Sequence, residues 1–245
     1  MVSRAAVLLA GCGSEDGGGD GGGKDDDPLA MLAQAARKSS QTESFRYKAT
    51  MDSDIASQTM TMDASGTSSA DSSEATLNGT LDAGQGAMEF EGIMTGGSMY
   101  MSGEDLGLPA GKWVKMEDSP TNTMSPSEVV KFLQDSGDVE LVGTETIRGE
   151  EGQHFRGPLN MKELIEKEAG SAFLEQMKDT PGVEELEVVI DILVPDSGLP
   201  SRMAVAMTMP GQEGSLKMTS DVLEYDVPVN ADPPPDDKVV ESPGG

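Results

Sequence analysis

An α+β domain organised around a long antiparallel sheet is the fold class this sequence predicts, and three observations predict it. Between Val183 and Val227, the residues Leu186, Val188, Ile190, Ile192 and Val194 fall on one side of an alternation whose other side carries Glu187 and Asp191. Period two marks a strand with one buried face. The run stops at Pro195-Asp196-Ser197-Gly198-Leu199-Pro200, where preset φ, side-chain to backbone bonding and a tolerated positive φ make a turn. It resumes with Met203, Val205, Met207 and Met209 against Arg202, Ala204, Ala206 and Thr208, breaks at Pro210-Gly211, and returns with Leu216 and Met218, so the stretch is an antiparallel meander. Second, shorter alternating runs separated by glycine-bearing turns fill the first half of the chain. Third, Ser125-Pro126-Ser127-Glu128 has the composition of a helix start, with Ser at the N-cap, Pro at the first helical position and Glu three residues after the cap.

Taken in order, Leu29 to Ser39 predicts a helix with Leu29, Leu32, Ala33 and Ala36 on one face and Arg37-Lys38 at the end that favours cations. Phe45, Tyr47, Ala49 and Met51 alternate with Arg46, Lys48 and Thr50, and Met60, Met62 and Ala64 with Thr59, Thr61 and Asp63, giving two strands. Ser65 to Glu74, rich in Ser, Thr and Asp, reads as a loop or as the extension of solvent-exposed strand ends. Further strands are marked by Ala75, Leu77 and Leu81, by Met88 and Phe90 between Glu89 and Glu91, by Met99 and Met101 around Tyr100, and by Lys112 to Met116. The helix begun at Ser125 carries Val129, Phe132 and Leu133 on its apolar face. Val139 to Ile147 and Gln153 to Leu159 predict a hairpin across Arg148-Gly149-Glu150-Glu151-Gly152, followed by a helical region from Asn160 to about Lys178 with Asn160 and Glu163 at capping-box spacing. After Asp226 the chain is proline-rich and reads as an edge segment or a surface tail. The expected organisation is residues 1–12 as a signal segment, 13–28 as a disordered Gly/Asp tether, 29–235 as the folded domain and 236–245 as a flexible tail.

Bulk numbers narrow the function. A formal net charge of −27 excludes nucleic acid as a partner, since a polyanion is repelled before contact. One Cys and one His rule out a disulfide within the chain and leave a zinc site short of ligands, so no metal and no cofactor are expected. His154 lies mid-strand with no Gly-x-Ser-x-Gly elbow, phosphate loop or paired-His helix motif anywhere in the chain, and the expectation is a structural histidine in a protein that is not an enzyme. Acidic runs such as Asp25-Asp26-Asp27 and Asp236-Asp237 lack the glycine and terminal Glu of a calcium loop and read as solvated charge. Methionine is abundant at 17 residues, and its long polarizable side chain fills irregular space and repacks around different shapes.

At the N-terminus, Arg4, the apolar stretch from Ala5 and the sequence Leu9-Ala10-Gly11-Cys12 resemble a bacterial lipobox, in which Cys12 would be acylated. The apolar region is at the short end of what such segments use, which leaves the true start open. The Gly/Asp-rich segment after it would act as a flexible tether with a reach of roughly 20–25 Å.

The strand, the turn Asp196-Ser197-Gly198-Leu199-Pro200-Ser201-Arg202, the strands after it and the closing Val227-Pro228-Val229-Asn230-Ala231-Asp232-Pro233-Pro234 resemble the C-terminal third of actinobacterial LppX/LprG-type lipoproteins, which share the open half-barrel of the LolA and LolB carriers. The order of elements matches from about Ala30 onward. The resemblance implies a strongly curved antiparallel sheet with helices covering its concave face, a lipid or glycolipid ligand held between them, and a place on the outer face of a bacterium's cytoplasmic membrane, anchored by acylated Cys12. The face expected to line such a cavity comprises Phe45, Tyr47, Met60, Met62, Met88, Phe90, Met99, Met101, Ile190, Ile192, Met203, Val205 and Met207. The competing expectation is an envelope scaffold or interaction lipoprotein with the same sheet, a filled core and no ligand, whose protein partner the sequence does not identify.

Overall fold

The computed structural model describes residues 27–55, 58–105, 107–108, 110–117, 125–166, 182–208 and 214–241. The signal segment and nearly all of the predicted tether lie outside these residues, as do the second half of the helical region predicted to reach Lys178 and the turn at Pro210-Gly211.

Helix α1 (Pro28–Ser39) starts one residue before the expected Leu29, with Asp27 as N-cap accepting a hydrogen bond from the Leu29 amide at 3.1 Å and Pro28 in the first turn. Asp27 and Pro28 are therefore part of the domain and not of a tether, a correction that follows from proline's fixed φ suiting the first helical position. Strands β1 (Ser44–Ile55), β2 (Gln58–Ser69), β3 (Ala75–Asp82), β4 (Ala87–Thr95), β5 (Ser98–Ser102) and β6 (Trp113–Glu117) follow as a meander, then α2 (Pro126–Ser136). The chain continues through β7 (Glu140–Ile147), β8 (Glu150–Asn160), the short α3 (Met161–Glu166), a single 3₁₀ turn at Val183–Glu185, β9 (Glu187–Pro195), β10 (Arg202–Thr208) and β11 (Gly214–Tyr225).

The strands of the described residues form one open sheet in the order β12-β6-β5-β4-β3-β2-β1-β11-β10-β9-β8-β7, where β12 is Val239–Glu241. The first strand thus sits in the middle, with the N-terminal meander on one side and the C-terminal meander on the other. Every pairing is antiparallel except β12 with β6, which is parallel. The expected flexible tail at 236–245 is corrected over residues 236–241, where Asp236–Lys238 form a 3₁₀ turn and Val239–Glu241 pair with Trp113–Lys115; residues 242–245 lie outside the described residues. The proline-rich approach to it is packed as well, with Val227, Ala231 and Pro234 buried.

Two other expectations change. The expected loop from Ser65 to Glu74 is confined to Ala70 to Glu74: β2 runs to Ser69, and Ser68, paired with Phe45 and Ala75, is fully buried. Polar composition misleads there because the sheet demands small residues. A Cβ on Gly66 would lie 1.8 Å from the Thr76 carbonyl oxygen and one on Gly79 would lie 2.1 Å from that of Asp63, so β2 and β3 approach in a way that only glycine permits. Beside them the Leu77 side chain occupies the space over Gly92. These close approaches on one side of the strands accompany the curvature of the open sheet. The β7–β8 hairpin is also tighter than expected. Arg148 and Gly149 form a two-residue turn with φ of 54° and 86°, the both-positive pattern that matches strand twist, and β8 begins at Glu150. Pro158 lies beyond the last β7 partner, Arg156, so its missing N–H leaves no gap in that ladder.

Helix α2 is fixed by its ends. The Glu128 amide donates to Ser125 Oγ at 3.3 Å, the Ser125 amide donates to Glu128 Oε2 at 2.9 Å, and Gly137 closes the helix in the left-handed region at φ 72°. Its Val129, Val130, Phe132 and Leu133 are buried, joined by Leu32 and Ala35 of α1. Together they pack on Phe45, Tyr47, Phe155, Leu159, Val188, Ile190, Ile192, Met203, Val205 and Val222.

Two outcomes are expected. Ser125→Ala removes one half of a reciprocal cap at a buried position and should lower stability by about 1 kcal/mol in chemical denaturation, with an unchanged midpoint showing that the cap contributes nothing. Gly66→Ala forces the β2–β3 backbones apart and should cost at least the ~1–3 kcal/mol typical of overpacking. A fully stable Gly66→Ala protein would mean that the close approach is not required.

Candidate functional site

Opposite residues of an antiparallel ladder share a face, so the register carries one apolar face across the sheet. Met51 faces Met62, which faces Leu81, which faces Met88; in the other direction Met51 faces Met218, then Val205, then Ile190. Tyr47 faces Gly66, followed by Leu77, Gly92, Met101 and Val114. Phe45 faces Ser68, followed by Ala75, Met94 and Met99. Ala49 leads through Ala64 and Gly79 to Phe90, and through Ser220 and Met203 to Ile192. Ser53 faces Met60 and, the other way, Leu216 and then Met207. All thirteen residues expected on one face share that face, and it is the face on which α1 and α2 lie.

The two halves of this inner face differ. Over β1 and β8–β11 the helices close down on it: Phe45, Tyr47, Ile190, Ile192, Met203 and Val205 are buried in the helix-packed core, with Met207 at its margin. Over β2–β6, Met60, Met62, Met88, Met99 and Met101 are only half-buried, and so are Leu77, Leu81 and Met116. Phe90, Met94 and Val114 are buried there, outside the helix-packed cluster. The expected lining set is therefore one surface in register and two environments in packing. Met51, Leu77, Leu81, Met94, Val114, Met116 and Met218 share the face and extend the set; the phase of their alternation with neighbouring polar residues was the signal that could have included them.

Polar groups on this face are few, and two of them have distinct surroundings. Tyr225, paired with Phe45, gives its hydroxyl proton to the Pro200 carbonyl at 2.7 Å, and burial raises its pKa. Tyr47, 5.8 Å from Phe45 between ring centroids, is 4% exposed, and burial pushes its phenol up to about 12, so it stays protonated at neutral pH.

The opposite, outer face over β7–β11 is held by ions. Asp191 takes a bidentate pair of bonds from Arg156 at 2.8 and 3.1 Å and lies 2.6 Å from His154 Nε2. Arg202 makes the same bidentate contact with Asp221 at 2.6 and 2.9 Å, and Glu145 lies 3.8 Å from His154 and 3.9 Å from Arg202. Hydrogen bonding to the paired carboxylates raises the pKa of both arginines. The lone histidine thus sits in a cross-strand charge network with Leu193 buried in the same row between His154 and Arg202. Among the described residues no three His, Cys, Asp or Glu side chains gather as a metal site would need.

No family model and no curated protein sequence matches the chain. Solved structures do. LprF from Mycobacterium bovis superposes with a TM-score of 0.50 at 13% identity, covering 84% of this chain and 96% of its own. The lipoprotein LppX from Mycobacterium tuberculosis superposes with a TM-score of 0.52 at 14% identity, covering 84% of this chain and 100% of its own. With its open antiparallel sheet and its helices on the inner face, the chain has the same fold as these two structures.

Proposed function

We propose that this chain is a membrane-anchored extracytoplasmic lipoprotein, not an enzyme, that binds or carries a lipid or lipidated glycan between the inner face of its sheet and its helices. The observation that carries the reading is the half-buried methionine surface of β2–β6, continuous in register with a helix-packed core. Apolar area gains roughly 25 cal/mol per Å² on leaving water, so a face that its own chain covers incompletely is one that acyl chains stabilise. Methionine suits it because an unbranched thioether adapts to chains of different length and branching. The fold shared with LppX, itself a lipoprotein, and the lipobox-like Leu9-Ala10-Gly11-Cys12 support anchoring through acylated Cys12 on the outer face of a bacterial cytoplasmic membrane.

Membrane attachment is expected to depend on Cys12, because two acyl chains anchor stably where one is marginal. In a lipoprotein-processing host, Cys12→Ala should move the protein from the membrane to the soluble extracytoplasmic fraction. Unchanged membrane association would remove the lipoprotein reading.

Binding is tested with two tryptophans. Val205→Trp enters a packed core and should cost about 1–3 kcal/mol. Met62→Trp enters the half-buried half and should leave thermal stability close to the parent while reducing uptake of a fluorescent acyl lipid, since the indole occupies volume the chain needs. A parent that yields no lipid on organic extraction, takes none up and is destabilised equally by both substitutions would instead be a scaffold lipoprotein with a filled core.

A further inference from the structure

Register places many of the sheet's methionines in contiguous rows. Met218, Met51 and Met62 stand opposite one another on β11, β1 and β2, and Met94, Met99 and Met116 do the same on β4, β5 and β6. Residues directly opposite in a ladder have Cβ atoms about 4.5–5.5 Å apart, so each row brings three thioether side chains together on the inner face. Their exposure divides them. Met94, at 8%, and the core residue Met203, at 4%, are closed off. Met51, Met62, Met99, Met116 and Met218 are half-buried, and so is Met88, which stands across Leu81 from Met62. These six lie outside the helix-packed cluster of which Met203 is part.

Apolar character alone does not require methionine at these places. Leu81 stands between Met62 and Met88 in the same row and is half-buried like them, and Leu77 fills the space over Gly92 on the same face. What methionine adds is a divalent sulfur that a hydroperoxide converts to the sulfoxide. A sulfur lone pair attacks the outer peroxide oxygen, the S–O bond forms as the O–O bond breaks, and the peroxide proton passes to the departing oxygen. Sulfur gives up two electrons and the hydroperoxide is reduced to an alcohol, or to water when the oxidant is hydrogen peroxide. The product is polar where the thioether was not. Access decides which sulfurs react, so the half-buried members of the rows are open to the reaction and Met203 is shielded from it.

Resting on the lipid-binding reading, we infer that the methionine rows are a modification site for hydroperoxides, at which sulfoxide formation closes the inner face to acyl chains. In the unliganded protein a half-buried sulfoxide turns its oxygen to water, and the helix-packed core is untouched, so the fold tolerates the change. Beneath an acyl chain the same oxygen is cut off from water with no donor to pair it, which disfavours the complex. Binding is therefore lost while the fold remains. Bound lipid in turn covers the sulfurs, so ligand and modification exclude each other.

The delipidated protein is treated with hydrogen peroxide, sulfoxides are located by peptide mass spectrometry, and a pyrene-labelled diacylglycerol is titrated before and after treatment. Met62, Met99 and Met116 should oxidise at least about tenfold faster than Met203, in line with their access to solvent. Affinity for the lipid should then fall by about tenfold or more with little change in thermal midpoint, and lipid loaded beforehand should slow oxidation of the same residues. A variant carrying Met62→Leu and Met88→Leu extends the leucine already present at Leu81, a volume-conserving change. It should bind like the parent before treatment and keep more of its affinity afterwards. A parent that binds the lipid and keeps its affinity with the rows oxidised overturns the inference and leaves the lipid-binding reading in place, the methionines then serving by their adaptable shape alone. Oxidation of Met203 as fast as Met62, or loss of binding accompanied by a collapse of the thermal midpoint, also overturns it. A parent that takes up no lipid before treatment overturns the lipid-binding reading and the inference with it.

Discussion

The structure depends on register at β1. That strand is paired along its whole length on both sides, with β2 through Ser44–Ile55 and with β11 through Phe45–Ile55, and it alone joins the two meanders. Because side chains alternate with period two, a slip of one residue at either ladder would send one meander's apolar residues to the solvent face while the other kept its own on the core side. Phe45, Tyr47, Ala49 and Met51 thus set the phase for the whole sheet. The irregularity between Arg46 and Tyr47, where β11 carries an extra residue, adds local twist at the joint without changing which side Phe45 and Tyr47 occupy.

Much of this was legible in the sequence, for a physical reason. Burial of one face imposes alternation on every strand long enough to show it, and caps need particular residues, so Met203–Met207, Met60–Ala64 and Ser125–Glu128 announce themselves. What was missed falls where those rules do not act. Val239-Val240-Glu241 is too short to display a period. In Ser65 to Ser69 the demand for small side chains at a close strand approach overrides the demand for apolar ones, so strand β2 is written in Gly and Ser. Arg148 takes the first place of a both-positive turn that Asn or Asp usually fills, and its guanidinium is held by the Val222 carbonyl at 2.6 Å. The inner-face residues could be named in advance because phase is local. Their division into packed and half-buried groups could not, since it depends on where helices land. The unpaired state of the Ser201 hydroxyl is likewise a property of tertiary neighbours alone.

The outer face explains how a chain of net charge −27 keeps a sheet together. Of its few cations, Arg156 and Arg202 each make bidentate bonds to an aspartate, Arg148 lies 3.9 Å from Asp221, and His154 contributes from β8. Exposed pairs of this kind are individually weak. Their arrangement still matters, because Asp191, Asp221 and Glu145 stand on β9, β11 and β7, where unpaired carboxylates would repel across the strands. These pairs stand on the outside of the C-terminal meander, opposite the face that carries Ile190, Ile192, Met203 and Val205.

The central position of the first strand has a bearing on how the molecule is made. Each meander consists of pairings between neighbours in sequence and can form as soon as its segment is available, whereas the β1–β11 seam joins strands separated by nearly the whole domain and the β12–β6 pairing waits for the last described residues. Contacts of such separation pay their loop-closure entropy late, so the seam is a slow step that follows completion of the chain. Until then β1 exposes an unpaired edge beside an apolar face, the state most prone to wrong pairing with other chains. A polypeptide with this topology becomes committed to its final shape only when β11 is available to pair with β1.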